Sequence, residues 1–302
     1  MFFEKLNRFL GREAVKSPAS MFPLRPNLPL PEGVSEQQLF DFVTSIRVAD
    51  APEAEMRAYG THDFRRFVYT TGLAKGLHGK CLELGANPYF TTILLKKFTD
   101  LDLSLANYFG NIPNGLAKQT VTYKDLGSSN TSSCELEYQH FNVENDIFPY
   151  PDNTFDIVIF AEIIEHLLND PCKVLREIKR VIKPDGILIL TTPNVARMIV
   201  GENIYDPYSG YGPYGRHNRE YNRHEIVKLL EFEGFVVETH FTADVHTNTA
   251  ANYLPLEKLE ELVDFRKNCL GQYIFISAKN KAGLQTKRPN WLYRSYNPNE
   301  LV

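Results

Sequence analysis

Two carboxylates and an imidazole lie close together in the segment FAEIIEHLLNDP. Glu162, Glu165 and His166 are spaced i, i+3 and i+4, which predicts that they share one face of a helix. Two carboxylates so close repel each other unless a positive charge lies between them, and a divalent cation with oxygen and imidazole ligands would supply that charge. The spacing therefore indicates a metal site, for which a fourth ligand is needed.

A second polar group occurs later, in YGRHNREYNRHEI. His217 is followed there by Glu220, and His217 is the candidate fourth ligand. Without a metal, His166 or His217 is a candidate general base, with Glu165 beside it. A third interpretation is that the Glu-His pair only orders the start of a helix.

The segment KCLELGANPYF has the pattern of a strand, a tight turn and a helix. The residues from Cys81 to Leu84 predict the strand, Gly85 the turn, and those from Thr91 to Lys97 the helix. Open α/β sheets bind ligands at the carboxyl ends of their strands. Glu83 and the turn are therefore candidates for binding a nucleotide-like group, although Glu83 and Asn142 could instead satisfy helix ends and loop amides.

The elements that would position these groups alternate between short apolar runs and helical periods, which predicts a doubly wound α/β sheet. The predicted strands are 80–84, 102–106, 136–141, 155–161, 185–191, 235–241 and 272–278. Two helices are predicted before the first strand. One begins at Ser35, with Leu39, Phe40 and Val43 on one face, and the other runs from Pro52 towards Leu77.

The segments around this core divide the chain into three predicted parts. Residues 1–78 would hold an amphipathic helix, a proline-rich arm and a helical extension, residues 79–280 the α/β domain, and residues 281–302 a tail. Residues 1–16 combine an apolar face with basic side chains, which predicts either a helix that contacts a membrane surface or a protein, or one that docks on the domain. A further helical pattern spans residues 256–263.

Composition narrows the class of protein. The net charge is −4 and no long run of one sign occurs, so non-specific binding to nucleic acid is not expected. The four cysteines are widely spaced and no stretch approaches the roughly 18 apolar residues that cross a bilayer. We therefore expect a cytoplasmic protein.

The run FPYPDNTFDIVIFAEIIEHLLNDPCKVLREIKRVIKPDGILILTTPN resembles class I S-adenosylmethionine-dependent methyltransferases of the methyltransferase type 11 kind. In these a Phe-Asp pair opens the fourth strand and Lys-Pro-x-Gly precedes the fifth. The resemblance extends over about residues 79–241 and is specific over 148–194. It implies a Rossmann-like sheet of seven strands, here with an N-terminal helical extension and a C-terminal tail, and S-adenosyl-L-methionine as cofactor.

The same resemblance implies positions for the cofactor. The implied contacts are Glu83, Gly85, Ala86 and Asn87 for the methionine part, Asn107 for the ribose, Asn142 and Val143 for the adenine, and Ala161 near the sulfonium. Two departures stand out. Asn87 and Tyr89 occupy positions where glycines are usual, and Asn107 occupies that of an acidic residue, so it lacks the charge that strengthens ribose hydrogen bonds.

The combination of Glu-x-x-Glu-His with a distant His-x-x-Glu is similar to the metal-dependent 2′-O-methyltransferases of small RNAs and, in part, to ubiquinone-pathway O-methyltransferases. It implies that Glu162, Glu165, His166 and His217 hold Mg2+ or Mn2+. Such an ion binds two vicinal hydroxyls and lowers the pKa of the one that is methylated.

The acceptor is predicted to be a sugar hydroxyl of a glycan or glycoside precursor, and not RNA, because no basic tract is present. The loop 202–221 carries tyrosines on which a sugar ring could stack, or which could form a lid packed on the sheet: Tyr205, Tyr208, Tyr211 and Tyr214. RPNWLYRSY resembles methyltransferases that accompany glycosyltransferases. The alternatives are a metal-free small-molecule methyltransferase with a histidine base and a non-catalytic S-adenosylmethionine-binding protein.

Overall fold

The computed structural model describes residues 25–110, 112–196, 217–246, 269–281, 283 and 285–292. Its strands are β1 (Arg47–Val48), β2 (Gly79–Leu84), β3 (Leu101–Asn107), β4 (Gly115–Lys124), β5 (Thr131–His140), β6 (Phe155–Ala161), β7 (Ile182–Pro193), β8 (Phe235–Ala243) and β9 (Tyr273–Asn280). Its helices are α1 (Glu36–Val43), α2 (Glu53–His62), α3 (Phe64–Leu73), α4 (Phe90–Phe98), α5 (Pro171–Val181) and α6 (Arg223–Phe232), with a 3₁₀ turn at Ile164–His166. Within these residues, no helix combines the length and apolarity needed to span a membrane.

All nine strands form one sheet in the order β1-β4-β5-β3-β2-β6-β7-β9-β8. Strands β5, β3, β2, β6 and β7 are parallel, while β9 is antiparallel to both of its neighbours. The seven predicted strands are all present and the α/β prediction is confirmed. Because the five parallel strands point the same way, their carboxyl ends meet at one edge, where open sheets of this kind bind ligands.

The sheet has two strands more than the seven that were predicted, because β1 and β4 extend it beyond β5. Strand β4 pairs with β5 along its whole length, from Gly115 opposite His140 to Lys124 opposite Thr131. In β4 only one face is covered, and Val121 is its single fully buried residue. The strand therefore lacks the apolar run by which a buried strand is recognised.

The helices before the first parallel strand differ from prediction in one respect. Helix α1 begins as expected, because Ser35 and Gln38 form a capping box. The helix predicted from Pro52 towards Leu77 is two helices, α2 and α3, separated at Asp63. The Asp63 side chain is buried and accepts a hydrogen bond from Arg66 Nε at 2.8 Å.

Helices cover both faces of the sheet. One core contains the apolar faces of α5 and α6 against β2, β6 and β7. The other joins α1, α2 and α3 to the start of α4, where Phe67 stacks on Phe90 with 4.7 Å between ring centroids. The helices before β2 therefore share a hydrophobic core with the turn at residues 85–89, although the predicted boundary at residue 78 separates them in sequence.

Both ends of the described chain pack on this body. The carbonyl of Pro26 accepts a hydrogen bond from the Tyr69 hydroxyl at 2.5 Å, as expected for a wrapped arm. In the tail, Arg288 bonds Asp170 at 2.7 Å. The described residues do not include the predicted amphipathic helix of residues 1–16, the tyrosines of the predicted loop 202–221, the helical pattern 256–263 or residues 293–302.

Candidate functional site

The turn after β2 has a backbone that only its glycine adopts easily. Gly85 has φ +64°, and a Cβ there would lie 2.8 Å from Cδ1 of Ile163. Glu83 is buried and accepts a hydrogen bond from Thr92 Oγ1 at 2.6 Å. Burial raises the pKa of the Glu83 carboxyl to about 8, so at neutral pH the carboxyl keeps its proton until a cationic group lies beside it.

The two departures from the glycine-rich pattern belong to one hydrogen-bond network. Tyr89, fully buried with φ +69°, donates its hydroxyl to Gln119 Oε1 at 2.6 Å and accepts from Asn107 Nδ2 at 2.9 Å. Asn107 Oδ1 accepts from the Asn87 backbone N–H at 2.7 Å, and the Asn87 amide donates to Gln119 at 3.2 Å. The network ties the turn to β4. It leaves Asn107 one lone pair and one N–H for a ligand.

The predicted adenine-binding residues follow β5. Asn142 Oδ1 accepts from the backbone N–H groups of Glu144 and Asn145 at 2.8 and 3.2 Å, so the side chain stabilises its own loop, as the alternative interpretation held. Val143 is half-buried against the core. Tyr108 was not predicted. It is 49% exposed, directly follows Asn107, and stacks on His140 with ring centroids 5.4 Å apart.

Glu162 does not lie on a helix, and the prediction of one helical face for Glu162, Glu165 and His166 is wrong. Glu162 has a left-handed backbone with φ +54°, directly after Ala161 at the end of β6. Only three residues then form the 3₁₀ turn. The Glu162 carboxylate accepts from Thr191 Oγ1 at 2.7 Å; burial raises its pKa and the nearby guanidinium of Arg66 opposes that rise.

Three of the four predicted metal ligands lie together. Glu165, His166 and His217 each present one ligand atom, and these atoms are within 4.8 Å of one another. The structure does not bring Glu162 into this group. Glu165 is 1% exposed; its Oε2 accepts from Thr192 Oγ1 at 3.0 Å, while Oε1 is buried without a hydrogen-bond partner among the described residues. Burial, and next the charge of Glu162, raises the pKa of Glu165 well above its usual value.

Backbone contacts hold the distant His217 segment against the turn. The N–H groups of Asn218 and Arg219 donate to the Glu165 carbonyl at 2.7 and 3.1 Å. The His217 ring meets His166 edge to face, with centroids 4.8 Å apart. Its Nδ1 bonds the carboxylate of Glu220, which fixes the orientation of the ring. The structure therefore brings His217 to Glu165 and His166, without Glu162.

The two halves of the site adjoin each other. Ile163, between Glu162 and the 3₁₀ turn, contacts Gly85 of the turn after β2. A group bound over Gly85 would thus lie beside the turn that carries Glu165 and His166. Such an arrangement can hold a donor molecule on one side and an activated oxygen on the other.

Comparison with known proteins gives the family of the central segment. Residues 95–190 match the family model described as "Methyltransferase domain". A probable S-adenosylmethionine-dependent methyltransferase of Mycolicibacterium smegmatis is 33% identical over 103 residues, which are 34% of this chain and 36% of that protein. The chain thus spans about a third of the length of this curated relative.

Two further relatives match in different chemical classes. The arginine-hydroxylase NDUFAF5 of Danio rerio is 30% identical over 32% of this chain and 30% of its own length. A ubiquinone biosynthesis O-methyltransferase of Neisseria meningitidis is 29% identical over 26% and 32%. The shared segment therefore identifies a family but not the reaction, which has to be inferred from the residues of the site.

Among solved structures, a SAM-dependent methyltransferase from Archaeoglobus fulgidus matches with a TM-score of 0.43 and 16% identity, covering 75% of this chain and 91% of that one. A TM-score below 0.5 adds nothing to what the strand order shows.

Proposed function

Because the chain belongs to the class I S-adenosylmethionine-dependent methyltransferases, we propose that it transfers the methyl group of S-adenosylmethionine to a sugar hydroxyl with the help of a divalent cation. The observation that carries this proposal is the group of Glu165, His166 and His217 beside the Gly85 turn. It joins a candidate donor site to a candidate site for activating an oxygen.

The residues around Gly85 suit the donor. The buried carboxylate of Glu83 would face the cationic amino group of the methionine part, whose charge would replace the solvation that Glu83 lacks. The exposed ring of Tyr108 offers a flat surface for the adenine. Asn107 would hold the ribose with its remaining hydrogen-bonding capacity.

The donor set fits a divalent cation. A carboxylate and two imidazoles are present. The buried Glu165 Oε1 accepts no hydrogen bond from the described residues and lies 3.9 Å from His166 Nε2, so it is the kind of atom that a cation would satisfy. Glu220 behind His217 matches the carboxylate-histidine pairing that orients metal ligands. Two imidazoles favour Mn2+ over Mg2+, which prefers oxygen ligands. When bound, the ion would lower the pKa of an acceptor hydroxyl.

The transfer forms a carbon-oxygen bond, breaks the bond between the methyl carbon and sulfur, and releases one proton. A vicinal diol is the acceptor that this donor set suits best, since two adjacent oxygens can reach one cation. Sugars carry such diols, and a net charge of −4 with no long run of basic residues does not favour a phosphate backbone as acceptor.

A metal-free reaction is the second candidate, and the contact between His217 and Glu220 favours it. A carboxylate on Nδ1 holds an imidazole in the tautomer and orientation that a general base needs. In that case the proton passes to Nε2 of His217 and no cation is required.

An activity assay separates these proposals. The protein would be incubated with S-adenosylmethionine and methyl glycosides that carry a vicinal diol or its monodeoxy counterpart, in Mn2+ or in EDTA, while S-adenosylhomocysteine is measured. The main proposal predicts turnover of the diol that stops in EDTA and with Glu165→Gln. Turnover that survives EDTA but not His217→Ala would support the base instead.

His224→Ala is the matched control, because His224 is an exposed histidine at the start of α6. It should keep wild-type turnover. Binding of S-adenosylhomocysteine without turnover of any acceptor would contradict both catalytic proposals and favour a binding protein.

A further inference from the structure

A second polar cluster lies at the carboxyl edge of the sheet and is used by neither the cofactor nor the metal chemistry proposed above. We name it the Arg66 cluster: Tyr59, Asp63, Arg66, His246 and Tyr273. Its centre is a buried ion pair, with Arg66 5% and Asp63 6% exposed and Nε 2.8 Å from Oδ1. A second guanidinium nitrogen donates to the Tyr59 hydroxyl at 2.5 Å.

The ion pair fixes the polar side chains around it. The guanidinium carbon of Arg66 lies 5.5 Å from the ring centroid of Tyr59 and 5.7 Å from that of Tyr273, which holds both rings by cation–π contact. The Tyr273 hydroxyl is 3.5 Å from both Asp63 Oδ1 and His246 Nε2. Tyr59 is 37% exposed, as is the His246 side chain. Tyr59 and His246 are thus partly open to solvent beside a rigid, preorganised centre.

Strand pairing places this cluster beside Glu162. Tyr273 opens β9 opposite Pro193 of β7, and Thr191 of β7 pairs with Ala161 and holds the Glu162 carboxylate. Burial first, then the charges of Asp63 and Glu162, raises the pKa of the Tyr273 phenol. The phenol therefore stays protonated at neutral pH and can donate a hydrogen bond close to the proposed reaction site.

The charges of the cluster indicate what it would bind. Arg66 is already neutralised by Asp63, and Glu162 adds a negative charge nearby. Arg25, which donates to the His246 carbonyl at 2.7 Å, offsets that charge, so a phosphate or carboxylate would meet no net positive charge there. Phenol and imidazole groups that donate and accept side by side, next to aromatic faces, suit the hydroxyls and C–H faces of an uncharged polyol.

We propose that the Arg66 cluster binds the part of an uncharged, polyhydroxylated acceptor that is not methylated, and so determines which acceptor is used. The inference rests on the proposed function, because it assigns the rest of the acceptor whose reactive diol lies at Glu165, His166 and His217. Helices α2 and α3 would then be a specificity element of the enzyme.

Tyr59→Phe tests this with the smallest change, since it removes one hydroxyl and keeps the ring. Saturation-transfer NMR on the protein saturated with S-adenosylhomocysteine would measure binding of methyl glycosides and of the corresponding sugar 6-phosphates. Loss of one neutral hydrogen bond should weaken the best-binding glycoside about fivefold. The sugar phosphates should bind more weakly than their uncharged parents.

Tyr123→Phe is the matched control, because Tyr123 packs edge to face on Phe42 in the distant part of the sheet beside β1. It should leave glycoside binding unchanged, and both variants should bind S-adenosylhomocysteine as the wild type does. His246→Gln gives an independent second variant in case Tyr59→Phe alters folding, and it too should weaken the glycoside.

Two results would overturn the inference. One is equal glycoside affinity, or an equal KM in the methyl-transfer assay, for wild type, Tyr59→Phe and His246→Gln. If glycosides are methylated in that case, the proposed function holds and only the role of the Arg66 cluster is contradicted. The other is tighter binding of the phosphates, or no binding of any uncharged glycoside. Binding that depends on Tyr59 without methyl transfer supports the cluster and contradicts the proposed reaction.

Discussion

Replacing Glu83 by glutamine should stabilise the cofactor-free protein at neutral pH and weaken its binding of S-adenosylhomocysteine. The carboxyl is 4% exposed, and burial raises its pKa from about 4.5 to about 8. Between these pH values the unfolded chain ionises while the folded one keeps its proton. The free energy of unfolding is therefore highest below pH 4.5 and falls as the pH rises towards 8. At pH 7 it is lower by about 3 kcal/mol.

Glutamine does not ionise, and its Oε1 can still accept the hydrogen bond from Thr92. Urea unfolding at pH 5, 7 and 8 should thus give a gap between Glu83→Gln and wild type that widens by about 3 kcal/mol over this range. Glu137→Gln, at an exposed position of β5, is the control and should show no gap. A gap for Glu83→Gln that is independent of pH would show that Glu83 does not carry a raised pKa in the folded protein.

Three further predictions concern the turn, the metal ligands and the scaffold. Gly85→Ala should lower the free energy of unfolding by about 1–3 kcal/mol in urea titrations, because φ is +64° and the added carbon meets a neighbouring isoleucine. Glu220→Gln should weaken Mn2+ binding about 10–100-fold in calorimetry, because the carboxylate that orients His217 is lost. An unchanged affinity would show that Glu220 does not orient a metal ligand. Arg176→Met should cost about 3–5 kcal/mol of stability, since it leaves Glu233, which is 0% exposed and bonded twice at 2.9 Å, without its partner.

Strands β2, β6 and β7 could be predicted because each contains a buried run of mostly apolar residues. The run from Phe155 to Ala161 coincides with β6. Strand β4 could not be found in this way, since its inward positions include Gln119 and its sequence is largely polar. The network of Gln119 with Tyr89 was missed for the same reason.

The site was predictable as far as chain topology determines it. Residues that follow parallel strands meet at one edge, and this brought the Gly85 turn beside Ile163, next to the turn that carries Glu165 and His166. The backbone of Glu162 was not predictable, because its spacing to Glu165 fits a helix and only tertiary contacts with Thr191 select the left-handed conformation. The Arg66 cluster was missed because helical periodicity does not reveal where a helix docks.

The cation site that the proposed reaction requires can be tested directly by calorimetry. The protein would be saturated with S-adenosylhomocysteine and then titrated with Mn2+, for wild type and for Glu165→Gln. We expect one saturable Mn2+ site in the wild type, its loss in Glu165→Gln, and equal binding of S-adenosylhomocysteine by both. If S-adenosylhomocysteine binds but Mn2+ does not, metal assistance is contradicted and His217 becomes the candidate base.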